Sequence, residues 1–173
     1  IGRKDISMAV TGKIDRKYMA HYIDAGSLCG GLTPKYERLG KDLEEYNIEL
    51  NPDTETSKNI LGESTFKHNG YEVSSDADPF YADTTSDLFT ALQKIVDGRL
   101  KDDNLKTKAV EVHLWTEATA GKYEAYQQDC YVVPTSYGGD TSGYQIPFTV
   151  NYVGERVKGK FDINSGTFTA DSE

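Results

Sequence analysis

The sequence contains no apolar run near the roughly 18 to 20 residues that a membrane-spanning helix needs. That excludes a helical membrane anchor within these 173 residues. Cysteine is scarce: Cys29 and Cys130 lie about a hundred positions apart, in neither CxxC nor zinc-ligand spacing. Two free, reduced thiols are therefore expected, with synthesis in the cytosol. The opening "IGRKDISMAV" is basic but no apolar h-region follows it, so no signal peptide is expected. Positive charge is also in short supply, with 19 Lys+Arg against 28 Asp+Glu and a net charge of −9. The imbalance is uneven. Residues 1–41 hold eight basic and four acidic residues (+4), so residues 42–173 hold 11 and 24 (−13). Sequence-independent nucleic-acid binding needs a basic footprint, which an acidic body does not provide.

Catalytic and cofactor patterns are missing too. The histidines are His21, His68 and His113, and none lies in a nucleophile motif; GxSxG does not occur. His113 falls on the polar face of an alternating segment and reads as structural or solvated. "GERVKGK" (154–160) has the glycine spacing of a phosphate loop, but Phe161 stands where the magnesium-binding hydroxyl belongs. "DADPFYAD" (76–83) groups three aspartates, yet Tyr81 occupies the place of the EF-hand glycine and Asp87 that of its glutamate. No enzyme activity, cofactor or metal is expected.

The residues present describe a single domain, 1–173, long enough to bury a core without disulfide or metal. Twelve tyrosines suit strands and subunit contacts equally. In residues 1–35, a less regular N-terminal segment, Gly30, Gly31 and Pro34 oppose a continuous helix, while "ISMAV" and "YMAHYI" read as short strands. "LEEYNIEL" (43–50) alternates with period two, "NPDT" follows as a turn, and "ETSKNIL" reads as the returning strand of an acidic hairpin. Residues 62–86 show turn residues without period and read as a long loop that a partner orders. "SDLFTALQKIVDGRL" (86–100) predicts a helix, with Leu88, Leu92, Ile95 and Val96 on one face, Ser86 as cap, Asp87 at the positive end and Gly98 at the stop. Beyond it, residues 108–115 and 123–133 read as strands, "YQIPFTVNYV" and "RVKGKFDI" as a hairpin around Gly154-Glu155, and "GTFTA" as a last short strand. Seven to nine strands and one flanking helix predict a mainly β fold, a β-sandwich or β-barrel of antiparallel strands. "YGGDTSGYQIPF" (137–148) reads as a turn leading into a strand, with Gly138 and Gly139 free to take positive φ and Pro147 suited to a sheet edge.

Three stretches carry a resemblance: "RLGKDLEEYNIELNPDTETSKNILGE" (38–63), "YEVSSDADPFYADTTSDLFTALQKIVDGRL" (71–100) and "YEAYQQDCYVVPTSYGGDTSGYQIPFTVNYVGERVKGKFD" (123–162). Together they resemble the major tail tube protein of tailed phages and of prophages in Gram-positive bacteria. "NPDTETSKNILGE" and "VPTSYGGDTSGYQIPF" are the more specific parts. The resemblance implies a virion protein, made in the host cytoplasm, whose six-membered rings stack into a hollow tail tube. It also implies tape-measure, tail terminator and baseplate or initiator proteins as partners, and DNA passing through the lumen without specific binding. An acidic lumen would repel that polyanion; Glu45, Glu49 and Glu55 are candidates to line it. Phe66, Tyr71, Phe80 and Tyr81 are candidates for contacts between protomers. Two alternatives are the inner-tube protein of a contractile particle or secretion system, and a monomeric β-sandwich binding module.

Overall fold

The computed structural model describes residues 10–116 and 118–172. Its strands are β1 (Met19–Asp24), β2 (Tyr36–Arg38), β3 (Ile48–Glu49), β4 (Pro52–Lys58), β5 (Ser64–Tyr71), β6 (Ser74–Ala77), β7 (Lys106–His113), β8 (Lys122–Pro134), β9 (Gly138–Asp140), β10 (Gly143–Gln145), β11 (Phe148–Asp162) and β12 (Thr167–Ala170). One α-helix, α1 (Asp87–Gly98), lies between β6 and β7. The fold is mainly β with one flanking helix.

Eight strands form one antiparallel sheet in the order β2-β1-β7-β8-β11-β6-β3, with β12 also paired to β11. The sheet is open, so the barrel alternative does not hold. It is nevertheless strongly curled. The rings of Tyr22 on β1 and Phe161 on β11 lie 4.5 Å apart, although three strand spacings, about 14 Å in a flat sheet, separate their strands. Small residues beneath the rings make the curl possible: Ala20, Ala125 and Gly159 occupy the same face. Any side chain at Gly159 would collide with the Phe168 ring and the Thr169 carbonyl.

Alternation along the strands gives the sheet two cores. On one face Ala20, Val110, Val112, Ala125 and Phe161 are buried together. On the other, Ile23, Ala109, Cys130, Val132, Phe148 and Val150 meet Leu88, Leu92, Ile95 and Val96 of α1. The expected helix face is therefore the one that is buried. Ser86 accepts a hydrogen bond from the Phe89 amide (3.2 Å) and donates to Glu37 of β2, which also accepts from the Leu88 amide (3.2 Å). A carboxylate from an edge strand thus completes the helix N-terminus, satisfying otherwise orphaned amides and the positive end of the dipole. The stop falls one residue later than expected: Arg99, not Gly98, takes the left-handed conformation, with φ 48°.

Buried polar groups are matched. Asp24 accepts from the amides of Ser27 (3.2 Å) and Lys35 (2.8 Å) and from the Ser27 hydroxyl (2.6 Å), closing the loop that joins β1 to β2. Tyr46 and Ser75 share a 2.6 Å hydrogen bond, and Tyr152 lies 3.4 Å from both. Burial pushes the Tyr46 and Tyr152 hydroxyls above the usual tyrosine range. Cys29 and Cys130 are both free, and burial pushes the Cys130 thiol up to about 12.

Several sequence expectations are corrected. Residues 43–50 do not form a strand: Tyr46 is drawn into the core by Ser75, and only Ile48–Glu49 pair, with β6. The hairpin in this region is β4–β5 instead, so "ETSKNIL" supplies an outgoing strand and a turn rather than a returning strand. Residues 62–86 are not a structureless loop, because β5 and β6 lie within them. Gly154 does not turn the chain back. With φ +71° it makes a bulge in one continuous strand, β11, which pairs with β8 on both sides of the irregularity. Its carbonyl accepts from Gln128 (3.0 Å) opposite, as expected where extra residues face one partner. There are twelve strands among the described residues rather than seven to nine. "YMAHYI" and "GTFTA" match β1 and β12 closely, whereas "ISMAV" lies outside the described residues except for Val10.

Candidate functional site: an exposed hairpin arm and the cleft at its root

β4 and β5 form a ribbon that belongs to no larger sheet. Every residue of β4 is exposed, and every residue of β5 except the half-buried Gly70. Its two strands contact chiefly each other. Along one side Thr54 pairs with His68, Thr56 with Phe66 and Lys58 with Ser64; along the other Glu55 pairs with Lys67 and Ser57 with Thr65. Threonine and aromatic residues favour the extended backbone and cross-strand pairing. A lone two-stranded ribbon is nonetheless marginal in water, because neither face removes apolar surface from solvent.

The turn is built with care. Asn59 Oδ1 accepts from the amides of Leu61 (2.9 Å) and Glu63 (3.0 Å), and Asn59 Nδ2 donates to Glu63 (2.9 Å). The Asn59 amide donates to the Glu63 carbonyl and the Gly62 amide to the Asn59 carbonyl, both at 3.1 Å. Gly62 provides the positive φ, +81°, that such a turn requires. This scaffold presents two adjacent aliphatic side chains to solvent: Ile60 is fully exposed and Leu61 is 76% exposed. Phe66 and Tyr71 on the strands are 66% and 60% exposed.

The root is fixed differently. Asn51, with φ 44°, donates from Nδ2 to the Glu72 carbonyl (2.9 Å), so the two strands leave the body side by side. Beside them lies a cleft of about 440 Å³ on the helix-bearing face of the sheet. Ile48, Leu50 and Val73 edge it, and His21, Glu111, Tyr126 and Arg156 are among its other walls. Arg16 holds this wall together, donating to the carbonyls of Met19 (2.7 Å) and Tyr46 (2.8 Å) and to His21 Nε2 (3.0 Å). Burial foremost, and then the Arg16 guanidinium, lowers the His21 pKa to about 4. Burial by itself would push Glu111 up, but the hydrogen bond from His113 (3.2 Å) and the Arg156 charge hold it below the usual carboxylate range. Arg156 also lies over the Tyr126 ring, 4.1 Å from its centroid, a cation–π contact.

The residues expected to line a lumen are not brought onto one hairpin face. Glu45 lies in the irregular segment before β3 and accepts from Asn47, Glu49 is in β3, and Glu55 is on the arm. The four expected contact aromatics divide into pairs. Phe66 and Tyr71 are exposed on the arm, whereas Phe80 stacks edge-on against Phe148 (5.3 Å) and Tyr81 bridges to Gln145. That bridge docks the β9–β10 ribbon on residues 80–82, so "YGGDTSGYQIPF" is a joint within the chain, with Gly138 and Gly139 at positive φ. Sequence reasoning passed over Ile60 and Leu61. The available signal was an apolar pair set between Asn59 and Gly62 in an otherwise polar stretch.

Among the described residues, no group of three or more His, Cys, Asp or Glu side chains could hold a metal ion. None of their helices is long and apolar enough to cross a membrane. No protein-family model matches the chain, and no curated protein matches its sequence.

Proposed function

We propose that this chain is a structural, self-assembling protomer of a hollow tube, of the kind that stacks six-membered rings into a phage tail. The observation that carries the reading is the arm, about twenty exposed residues ending in Ile60 and Leu61, enough for one side of a standard protein–protein interface of roughly 20 to 30 residues. Left in water, it gains almost nothing from burial; placed against another copy, its strands and tip find partners. Six-membered rings, the DNA passing through, and the tape-measure, terminator and baseplate partners are carried by the resemblance of residues 38–63, 71–100 and 123–162 to tail tube proteins. The curled sheet, folded over two cores, serves as the sandwich-like body of the protomer. The acidic excess keeps the polyanion moving, with Glu45, Glu49 and Glu55 as candidate lumen residues.

The cleft supports a second reading, a monomeric binding module, since its volume lies within the range of small-ligand sites. Negative-stain electron microscopy at high protein concentration, with light scattering for mass, separates the two. Hollow rings or tubes with sixfold top views are the expected result. A strictly monomeric protein whose arm amides already resist hydrogen exchange would overturn the tube reading in favour of the module.

A further inference from the structure

Exposed cations in an acidic chain ordinarily sit beside carboxylates, as Lys35 does with Asp87 and Arg156 with Glu111. One hollow departs from that pattern. Arg16, Lys17, Arg38 and Lys41 line a concavity of about 500 Å³, between the short turn Arg16–Tyr18 before β1 and the segment that follows β2. Glu44 is the one acidic residue in its lining (+3), although the chain as a whole carries −9. Lys41 is shared with Asp83 at 3.5 Å. Arg16, Lys17 and Arg38 form no ion pair among the described residues.

Neutral groups hold the two arginines in place. Arg16 donates to the carbonyls of Met19 and Tyr46 and to Nε2 of the buried His21, which leaves two of its five N–H groups unused. Arg38, the last residue of β2, donates to the Lys17 carbonyl (3.4 Å), which draws its guanidinium across to the turn that carries Arg16. Both charges act on His21 and help to keep it neutral. The cations are therefore gathered and partly fixed before any ligand arrives, so little ordering remains to oppose binding. Like charges in a concave site repel one another, focus the local field and concentrate counter-ions. Guanidinium forks match the paired oxygens of phosphate.

We infer that this hollow is a binding site for a compact oligophosphate, either inorganic or the phosphate chain of a nucleotide. Its volume is many times the share of one water molecule, about 30 Å³, and holds several linked tetrahedral groups. Nucleic acid fits less well, because the acidic surface beyond the hollow repels a long polyanion. The inference goes beyond the tube reading and does not depend on it.

Isothermal titration calorimetry of the dilute protein at low ionic strength provides the test, with sodium tripolyphosphate as the probe. One saturable site is expected, with orthophosphate binding more weakly. Arg38 and Glu44 are exposed, so the fold tolerates their substitution, which unchanged thermal melts verify. Arg38→Gln should raise the dissociation constant about tenfold or more, as for the loss of a hydrogen bond to a charged group. Glu44→Gln should lower it, because the only carboxylate of the lining is removed. Lys101→Gln, an exposed cation outside the hollow, should change nothing. A nucleoside triphosphate that binds as tripolyphosphate does would assign the site to the phosphate chain alone, and one that binds more tightly would assign it to a nucleotide. An unaltered protein without a saturable site, equal losses for Arg38→Gln and Lys101→Gln, or displacement of the probe by duplex DNA would overturn the inference while leaving tube assembly standing.

Discussion

The body and the arm are built from the same kinds of strand and differ in what surrounds them. β8 and β11 pair along most of their length and bury Cys130, Val132, Phe148 and Val150 under α1. β4 and β5 pair as regularly, with a better organised turn, and bury almost nothing. Backbone pairing is therefore shared, and the free energy is not. A typical hydrogen bond contributes about 1 kcal/mol net, whereas burying a large apolar side chain contributes about 1.5 to 3 kcal/mol. Stability belongs to the body, and the arm's surface is left exposed to solvent.

The sharpest contrast should come from the core. Phe148→Ala is expected to cost about 3 to 5 kcal/mol of unfolding free energy and Leu92→Ala about 2 to 5 kcal/mol, read from chemical denaturation. Neither side chain has an exposed route by which to relax. A loss below 1 kcal/mol at either site would erase the distinction between body and arm.

Acid should act on the body through His21. Its folded pKa, about 4, lies below the value of 6.5 in the unfolded chain. Between those values the unfolded chain binds more protons, so stability is complete above pH 6.5 and falls as pH drops toward 4, by on the order of 3 kcal/mol. Glu111, held low by His113 and Arg156, adds its own loss as pH falls below its ordinary value of 4.5 toward its lowered folded value. Unfolding curves from pH 7 to 4 should therefore slope for the unaltered protein and flatten in the upper part of that window for His21→Gln.

A smaller effect is expected where the edge strand meets the helix. Glu37→Ala leaves the Leu88 amide and the Ser86 hydroxyl without their acceptor, which should cost about 1 to 2 kcal/mol. Glu37→Gln should recover part of that loss, because the amide oxygen still accepts.

Least of all should be felt when the arm is altered. Ile60→Asp and Phe66→Ala are each expected to shift the stability of the chain by less than about 0.5 kcal/mol, since both side chains are largely in water. Replacing residues 53–70 by a short glycine turn should leave the body folded, because Asn51 and Glu72 already sit side by side. Circular dichroism melts of these variants that drop by many degrees would show that the arm supports the body after all.

Legibility in the sequence followed burial. The helix and β7 were readable because buried residues recur in each at the element's own period: Leu88, Leu92, Ile95 and Val96 in α1, Val110 and Val112 in β7. The arm was misread because it has no buried face and hence no period. Its apolar pair occupies a turn, where pattern reading expects polar residues. The alternation at residues 43–50 misled for the opposite reason, since Tyr46 points inward to meet Ser75 and not to line a strand. Gly154 reads as a turn in sequence; only the pairing of both flanks with β8 makes it a bulge.

The most direct test is hydrogen exchange of the amides of residues 52–71, compared between dilute protein and protein concentrated until it associates. In the dilute protein they should exchange orders of magnitude faster than those of β8 and β11, whose opening approaches global unfolding, and on association they should become protected. Arm amides that are equally slow in both states, or equally fast in both, would contradict an arm whose partner is another molecule.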